Sequence, residues 1–171
     1  DLNDRIIRCV GNPTGRFDED ALRMFRAVRF AGQLNFNIEK ETLAAIEAQH
    51  AFLKDVSAER IQIELLKLLI SRHPEMIRAA YETGLTSVFL PEFDRMMETP
   101  QNNPHHIYSG GDHTIHAVET IAPNPILRLT MLLHDIAKPE TRSTDENGID
   151  HFYNHNEAGA VLSKTILRRL K

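Results

Sequence analysis

Cysteine is almost absent from this chain. Cys9 is the single one in 171 residues, which excludes an internal disulfide framework and suits a reducing cytoplasm. Long apolar runs are missing as well. A membrane-spanning helix needs roughly 18 or more consecutive apolar residues, and the longest candidate, ELLKLLIS, is short and carries charge. The opening DLNDRIIR does not read as a secretory leader. The expectation is a cytoplasmic protein with no membrane partner. There is no internal repeat and no low-complexity tract, and strand-like alternation is scarce. An excess of positive charge is lacking too: 20 Lys and Arg stand against 24 Asp and Glu, a formal net charge of −4. That balance argues against a uniformly basic surface but permits local ones, and basic residues bunch between Arg16 and Arg29 and between Lys164 and Lys171. The length suits one ordinary domain or two small ones.

What is present is helical punctuation. Asp18 is placed to cap a helix carrying Glu19 and Asp20 in its first turn, where carboxylates favour the positive dipole end. Ser57 is a good N-cap, Val56 and Ile61 have the spacing of a hydrophobic staple, and ERIQIELLKLLI repeats apolar residues at helical intervals. Pro74 suits a first turn and Gly84 a C-terminal stop; Asn124 and Pro125 open another helix, and NEAGAVLSKTILRRLK forms a last amphipathic one. STDENGIDHFYN reads as a polar loop or short hairpin. TPQNNPHHIYSGG, residues 99–111, is a cluster of turn formers that divides the chain into units 1–100 and 101–171. The fold class predicted is all-α.

Two groups of residues carry chemistry. Asp20, Arg23, Arg26 and Arg29 recur every three residues, a ridge slanting around a helix whose opposite face collects Ala21, Met24, Phe25 and Val28. One reading is a solvated helix face with an Asp20–Arg23 pair worth a few tenths of a kcal/mol. The other is recognition. A carboxylate only accepts hydrogen bonds and a guanidinium only donates them. Cytosine and adenine offer an amine donor beside a ring-nitrogen acceptor, whereas guanine and uracil present the opposite polarity. An Asp–Arg pair thus accepts C and A and rejects G and U, because mismatched buried polar groups are penalised heavily. Arg26 and Arg29 would then meet a triphosphate or an RNA backbone.

The second group is histidine. Seven of nine fall between His105 and His155. His113 and His116 lie near one turn apart, and His134–Asp135 directly follow the apolar MLL, where an ionisable pair is expensive to bury without partners or metal. Either Asp135 is capped or salt-bridged beside a satisfied core histidine, or imidazole and carboxylate together bind a divalent transition metal or Mg²⁺ that polarises phosphate and acidifies water.

The stretch GNPTGRFDEDALRMFRAVRFAGQLNFNIEKETLAAI, residues 11–46, resembles the neck of bacterial class II CCA-adding tRNA nucleotidyltransferases and related poly(A) polymerases. The family's Glu-Asp-x-x-Arg motif is matched by Glu19, Asp20 and Arg23. The resemblance implies that Asp20 and Arg23 bond the base of CTP or ATP and that Arg26 and Arg29 belong to the nucleotide site. VSAERIQIELLKLL, residues 56–69, resembles the support helix that follows; Arg60 and Glu64 are either braces or an i,i+4 surface pair. The second half resembles the HD superfamily of metal-dependent phosphohydrolases, with His113, His134 and Asp135 matching metal ligands and His151 and His155 matching contacts to metal or phosphate; its distant Asp has no match. His116 is left out of the ligand set.

The implied architecture is a helical neck and body followed by a partial helical HD domain. The family's Mg²⁺-binding Asp-x-Asp follows a Gly-Gly motif in an α/β head. Asp18 and Asp20 sit at a helix start, and Gly110–Gly111 lie in a linker, so no catalytic residue for transfer is expected here. The implied partners are the tRNA 3′ end, CTP and ATP, with Lys164 to Lys171 either touching tRNA or simply ending an exposed helix. Poly(A) addition, a stand-alone HD phosphohydrolase and a non-catalytic RNA-binding module are the competing readings.

Overall fold

The computed structural model describes residues 1–100 and 110–171. Helices dominate, as the punctuation predicts, and the only strands among the described residues form two small pairs. The first was not expected: β1 (Ile6–Ile7) pairs in parallel with β2 (Asn37–Ile38), tying the start of the chain to the residues just after the second helix.

Between those strands, the first helix starts earlier than expected. α1 spans Pro13–Glu19; the Asn12 side chain accepts from Gly15 N at 3.2 Å, and Pro13 fills the first helical position. Asn-Pro is the stronger start signal, since it supplies both a cap and a preset φ. Asp18 is therefore not a cap. It lies in the last turn of α1 and accepts from Gln49 Nε2 at 2.6 Å. The chain breaks at Asp20, whose backbone is extended (φ −154°, ψ 101°), and restarts as α2 (Leu22–Leu34). Asn35, left-handed at φ 56°, ends α2.

α3 (Lys40–Gln49) and a 3-10 segment (His50–Asp55) lead to α4 (Ala58–Leu69), which begins after Ser57 as expected. Met24, Phe25 and Val28 of α2 and Leu65, Leu68 and Leu69 of α4 are all buried in one cluster. Close approach is set by Gly32, where a Cβ would come within 2.8 Å of both His73 O and Leu68 Cδ1. A 3-10 turn at Pro74–Met76 opens α5 (Ile77–Glu82); Gly84, at φ +79°, ends it and α6 (Leu85–Phe89) and α7 (Pro91–Glu98) follow.

The expected seam at 99–111 falls largely outside the described residues, as do His105 and His106. Gly110 and Gly111 are not linker: they are the buried first residues of α8 (Gly110–Thr120). A Cβ on Gly111 would lie 2.3 Å from Met97 Sδ and 3.0 Å from Met97 Cα, so only glycine lets α8 meet α7 there. α9 (Pro125–Leu133) is capped by Asn124, which accepts from the N–H groups of Ile126 and Leu127. α10 (Lys138–Thr141) runs into a hairpin of β3 (Arg142–Thr144) and β4 (Asp150–Phe152), and α11 (His155–Leu170) closes the chain.

One hydrophobic cluster joins both halves: Phe25, Leu65, Phe89 and Phe93 share it with Ile115, Leu132, Leu133, Ile166 and Leu170. Polar links reinforce it. Buried Arg128 donates from α9 to the Ser71 carbonyl at 2.8 Å and to that of Leu69, satisfying the end of α4. Among the described residues no helix is long and apolar enough to cross a membrane.

Candidate functional site

The break between α1 and α2 sets out the acid and the arginines. Asp20 Oδ1 accepts from Leu22 N–H at 3.2 Å, and Oδ2 accepts from Arg60 at 2.9 Å. Burial pushes the carboxyl upward, but the Arg60 and Leu22 bonds outweigh it and hold Asp20 below its usual range. Arg23 does not pair with Asp20. Its guanidinium donates to Glu19 at 2.6 Å and to the Arg16 carbonyl at 2.9 Å, and the bond from Arg23 leads in holding the Glu19 carboxyl low. Arg26 is exposed, 5.9 Å from the Phe30 ring centroid.

Arg29 departs from the expected exposed ladder. It is buried, forms an ion pair with Glu64 at 2.5 Å, donates to Gln33 Oε1 at 2.5 Å and lies 3.7 Å over the Phe30 ring. The geometry of a helix explains this. Each step of three residues falls about 60° short of a turn, so Arg29 stands about 120° around α2 from Arg23. The ridge slants off the solvent face and into the contact with α4. Arg60 and Glu64, one turn apart on α4, accordingly reach across to Asp20 and Arg29 rather than pairing with each other. They are braces. Asp20 lines a cavity of about 420 Å³ with Phe17, Phe52, Asp55 and Arg60, while Arg23 and Arg26 line a smaller one of about 180 Å³ with Arg8, Cys9 and Phe30.

The histidine cluster draws on three helices. His113 comes from α8, His134 ends α9, Asp135 follows it, and His155 begins α11. His134 Nε2 is 3.1 Å from Asp135 Oδ2 and 3.3 Å from His113 Nε2; His113 Nε2 is 3.8 Å from the same carboxylate oxygen. His155 Nε2 faces the other oxygen at 3.7 Å. A carbonyl can only accept, so contacts to Met131 O at 2.6 Å and Phe152 O at 2.7 Å place the hydrogens of His134 and His155 on Nδ1. Each Nε2 is left facing the Asp135 carboxylate, and it is the ring atom that a metal ion would draw on. Ligands about 2.1 Å from one ion stand about 3.0–3.5 Å apart, which the His113, His134 and Asp135 atoms approach; all lie within 4.8 Å of one another.

Lys138 completes the cluster and was missed from sequence. Its ammonium lies 2.8 Å from Asp135 Oδ2, and the i,i+3 spacing was the available signal. The Asp135 side chain is 4% exposed. Burial alone would raise its carboxyl, but His134 and then Lys138 drive it well below the usual range. His134 is held above its ordinary value, chiefly by the bond to Asp135. His151 is not gathered in: it bonds Asp145 at 3.0 Å and stacks on Tyr153 within the hairpin. His116 turns toward Glu119. Arg169 bonds Glu92 and Lys171 bonds Glu59, so part of the basic C-terminal stretch is spent on neighbouring acids.

Residues 35–97 match the sequence model of a family described as "Probable RNA and SrmB- binding site of polymerase A". A CCA-adding enzyme of Levilactobacillus brevis is 51% identical over 94 residues, 54% of this chain and 23% of that protein. The Multifunctional CCA proteins of Haemophilus influenzae and of an Azoarcus species are each 34% identical across 100% of this chain, which covers 44% and 42% of them. The chain therefore spans less than half the length of these relatives. On the RNA-binding match, the alignment along its whole length and the helical architecture, this chain belongs to the class II CCA-adding enzyme family, as one region of it.

Proposed function

We propose that residues 1–100 form the base-selecting and RNA-binding neck and body of a CCA-adding tRNA nucleotidyltransferase, and residues 101–171 an HD-type metal-binding domain. The observation that carries the first part is Asp20 and Arg23, three residues apart at a helix break and each held by its own partner. Arg60 and Leu22 N–H fix the Asp20 carboxylate; Glu19 holds Arg23. Asp20 then accepts the exocyclic amine of cytosine or adenine, and Arg23 donates to the neighbouring ring nitrogen. Guanine and uracil would meet acceptor with acceptor and donor with donor. Exposed Arg26 is available to phosphate. Arg29 supports the helix from within, since its guanidinium is committed to Glu64.

Transfer itself needs a carboxylate pair that holds Mg²⁺ against the triphosphate. Asp18 and Asp20 do not fit that task, being bonded by Gln49 and by Arg60. The transfer chemistry is assigned to the family's N-terminal head, and the substrates are CTP, ATP and the tRNA 3′ end. The test is nucleotide incorporation by the intact enzyme. Arg23→Ala should lose most of its preference for CTP and ATP over GTP and UTP; unchanged selectivity would refute the assignment. Poly(A) addition by the same neck would show as repeated A without C.

The second site is favoured by its own geometry. His113, His134 and Asp135 fit a divalent transition metal or Mg²⁺, and His155 stands within reach of the same ion or of a phosphate. Such an ion, when bound, would polarise a phosphate and lower the pKa of water, giving phosphohydrolase activity. Lys138, buried and 2.8 Å from Asp135 Oδ2, balances the Asp135 charge beside the site where a phosphate would lie. Cobalt absorption that titrates to one equivalent and disappears in His134→Gln supports this reading; identical spectra for the two proteins would dismiss it.

A further inference from the structure

A cavity of about 460 Å³ opens beside the histidine cluster, between α9 and α11. Its walls are mostly apolar, with Ile126, Leu129 and Leu133 on one side and Ala160 and Leu167 on the other. His134 belongs to both places. The residue lines the cavity while its Nε2 faces His113 and Asp135. The space exists because small residues line the crossing. A Cβ at Gly159 would stand 3.8 Å from the His134 carbonyl oxygen, so α11 passes directly over that backbone, and Ala160 beside it adds only a methyl. Asn156 and Ser163 supply polar atoms at the edge of an otherwise oily surface.

We propose that this cavity is the subsite for the organic group of a phosphoester handled at the histidine cluster, and that it takes a flat, mostly apolar ring with a polar edge. The inference rests on the metal-binding reading of His113, His134 and Asp135. An ester whose phosphate lies against the cluster, near the Lys138 ammonium, can place its other end in this cavity, which shares His134 with the cluster and has a mostly apolar lining. The volume falls within the range of small-molecule sites, and an apolar lining with a few polar groups is the usual character of a site that orients a ring. Inorganic phosphate would leave this wall wet. Ile126, 75% exposed, and Leu167, 43% exposed, form a rim that a bound ring would cover.

The test compares phenyl phosphate with methyl phosphate, which differ only in the ring, using the chain loaded with Mn²⁺ and titration calorimetry. Phenyl phosphate should bind about ten-fold more tightly, consistent with burial of one ring in an open cleft. Ala160→Leu, an exposed helical position that tolerates leucine, should fill the cavity and erase that preference, leaving methyl phosphate affinity and cobalt absorption as in the parent. Equal affinities for the two esters, or equal weakening of both by Ala160→Leu, would overturn the proposal. Failure of the metal reading is seen separately, as absent cobalt absorption. In that event amide shifts on adding phenol decide the cavity: movement at Gly159, Ala160 and Ser163 upholds a ring site, and no movement refutes it. A concentration-dependent dimer abolished by Ala160→Leu would give the surface to a second copy of the chain and also overturn the proposal.

Discussion

Replacing Glu64 by alanine should destabilise this protein far more than a surface charge removal would. The Arg29 and Glu64 side chains are each 8% exposed, and each guanidinium or carboxylate in such a place has lost most of its water. Deleting one member of a buried pair strands the other, at a cost of about 3–5 kcal/mol. Lys67, 3.7 Å from Glu64, is half exposed and on the wrong side of the charge balance to rescue Arg29. For a chain of this size about 1 kcal/mol moves Tm by about 2–4 °C, so the melting temperature should fall by about 6–20 °C. Thermal unfolding followed by circular dichroism measures it. The double substitution Arg29→Met, Glu64→Leu removes both charges and keeps apolar volume, and should recover most of the loss. A loss below about 1 kcal/mol for Glu64→Ala would mean that Arg29 finds water, and the buried-brace account would be wrong.

Gly111→Ala forces a methyl against Met97 and should cost about 1–3 kcal/mol in urea unfolding; a neutral result would return the glycine pair to linker status. Arg169→Met breaks the bond to Glu92, whose carboxyl is raised by burial but held low by Arg169. A depressed folded value stabilises above the unfolded pKa, about 4.3, and that contribution is lost as pH falls through the folded value. With Arg169 partly exposed, the discounted cost is about 1–2 kcal/mol at pH 7. The gap between parent and variant should narrow toward pH 3, and a gap that stays constant with pH would exclude the ion pair as its source. Asn124→Ala removes the cap of α9 and should cost about 1 kcal/mol by the same unfolding assay, with Asn124→Ser recovering most of it; equal loss in both variants would point to something other than capping.

Much of this protein is legible in the linear chain because local chemistry decides it. Ser57, Pro74, Gly84 and Asn124 mark helix ends through bonds and dihedrals spanning a few residues, and the structure has helices beginning or ending at each. Misreadings arise where two local signals compete. Asn12-Pro13 overrides Asp18 as a helix start, and turn-like Gly110-Gly111 opens a helix, with glycine needed at Gly111 because Met97, distant in sequence, occupies the space a side chain would take.

The candidate sites divide along the same line. Residue types and their order were enough to single out Asp20 and Arg23, His113, His134 and Asp135, because polarity and ligand chemistry belong to side chains wherever they sit. Which group each one holds was decided only by the tertiary structure. Three-residue spacing cannot say that Arg29 turns inward to Glu64, since that depends on where α4 packs. Nor can it say that Arg60 takes the carboxylate that Arg23 leaves, or that Lys138 and His155 join a cluster built from four separate elements. Composition and periodicity record what each helix must bury; the partners of its charges follow from the angles at which helices cross, and those are set by the shared core.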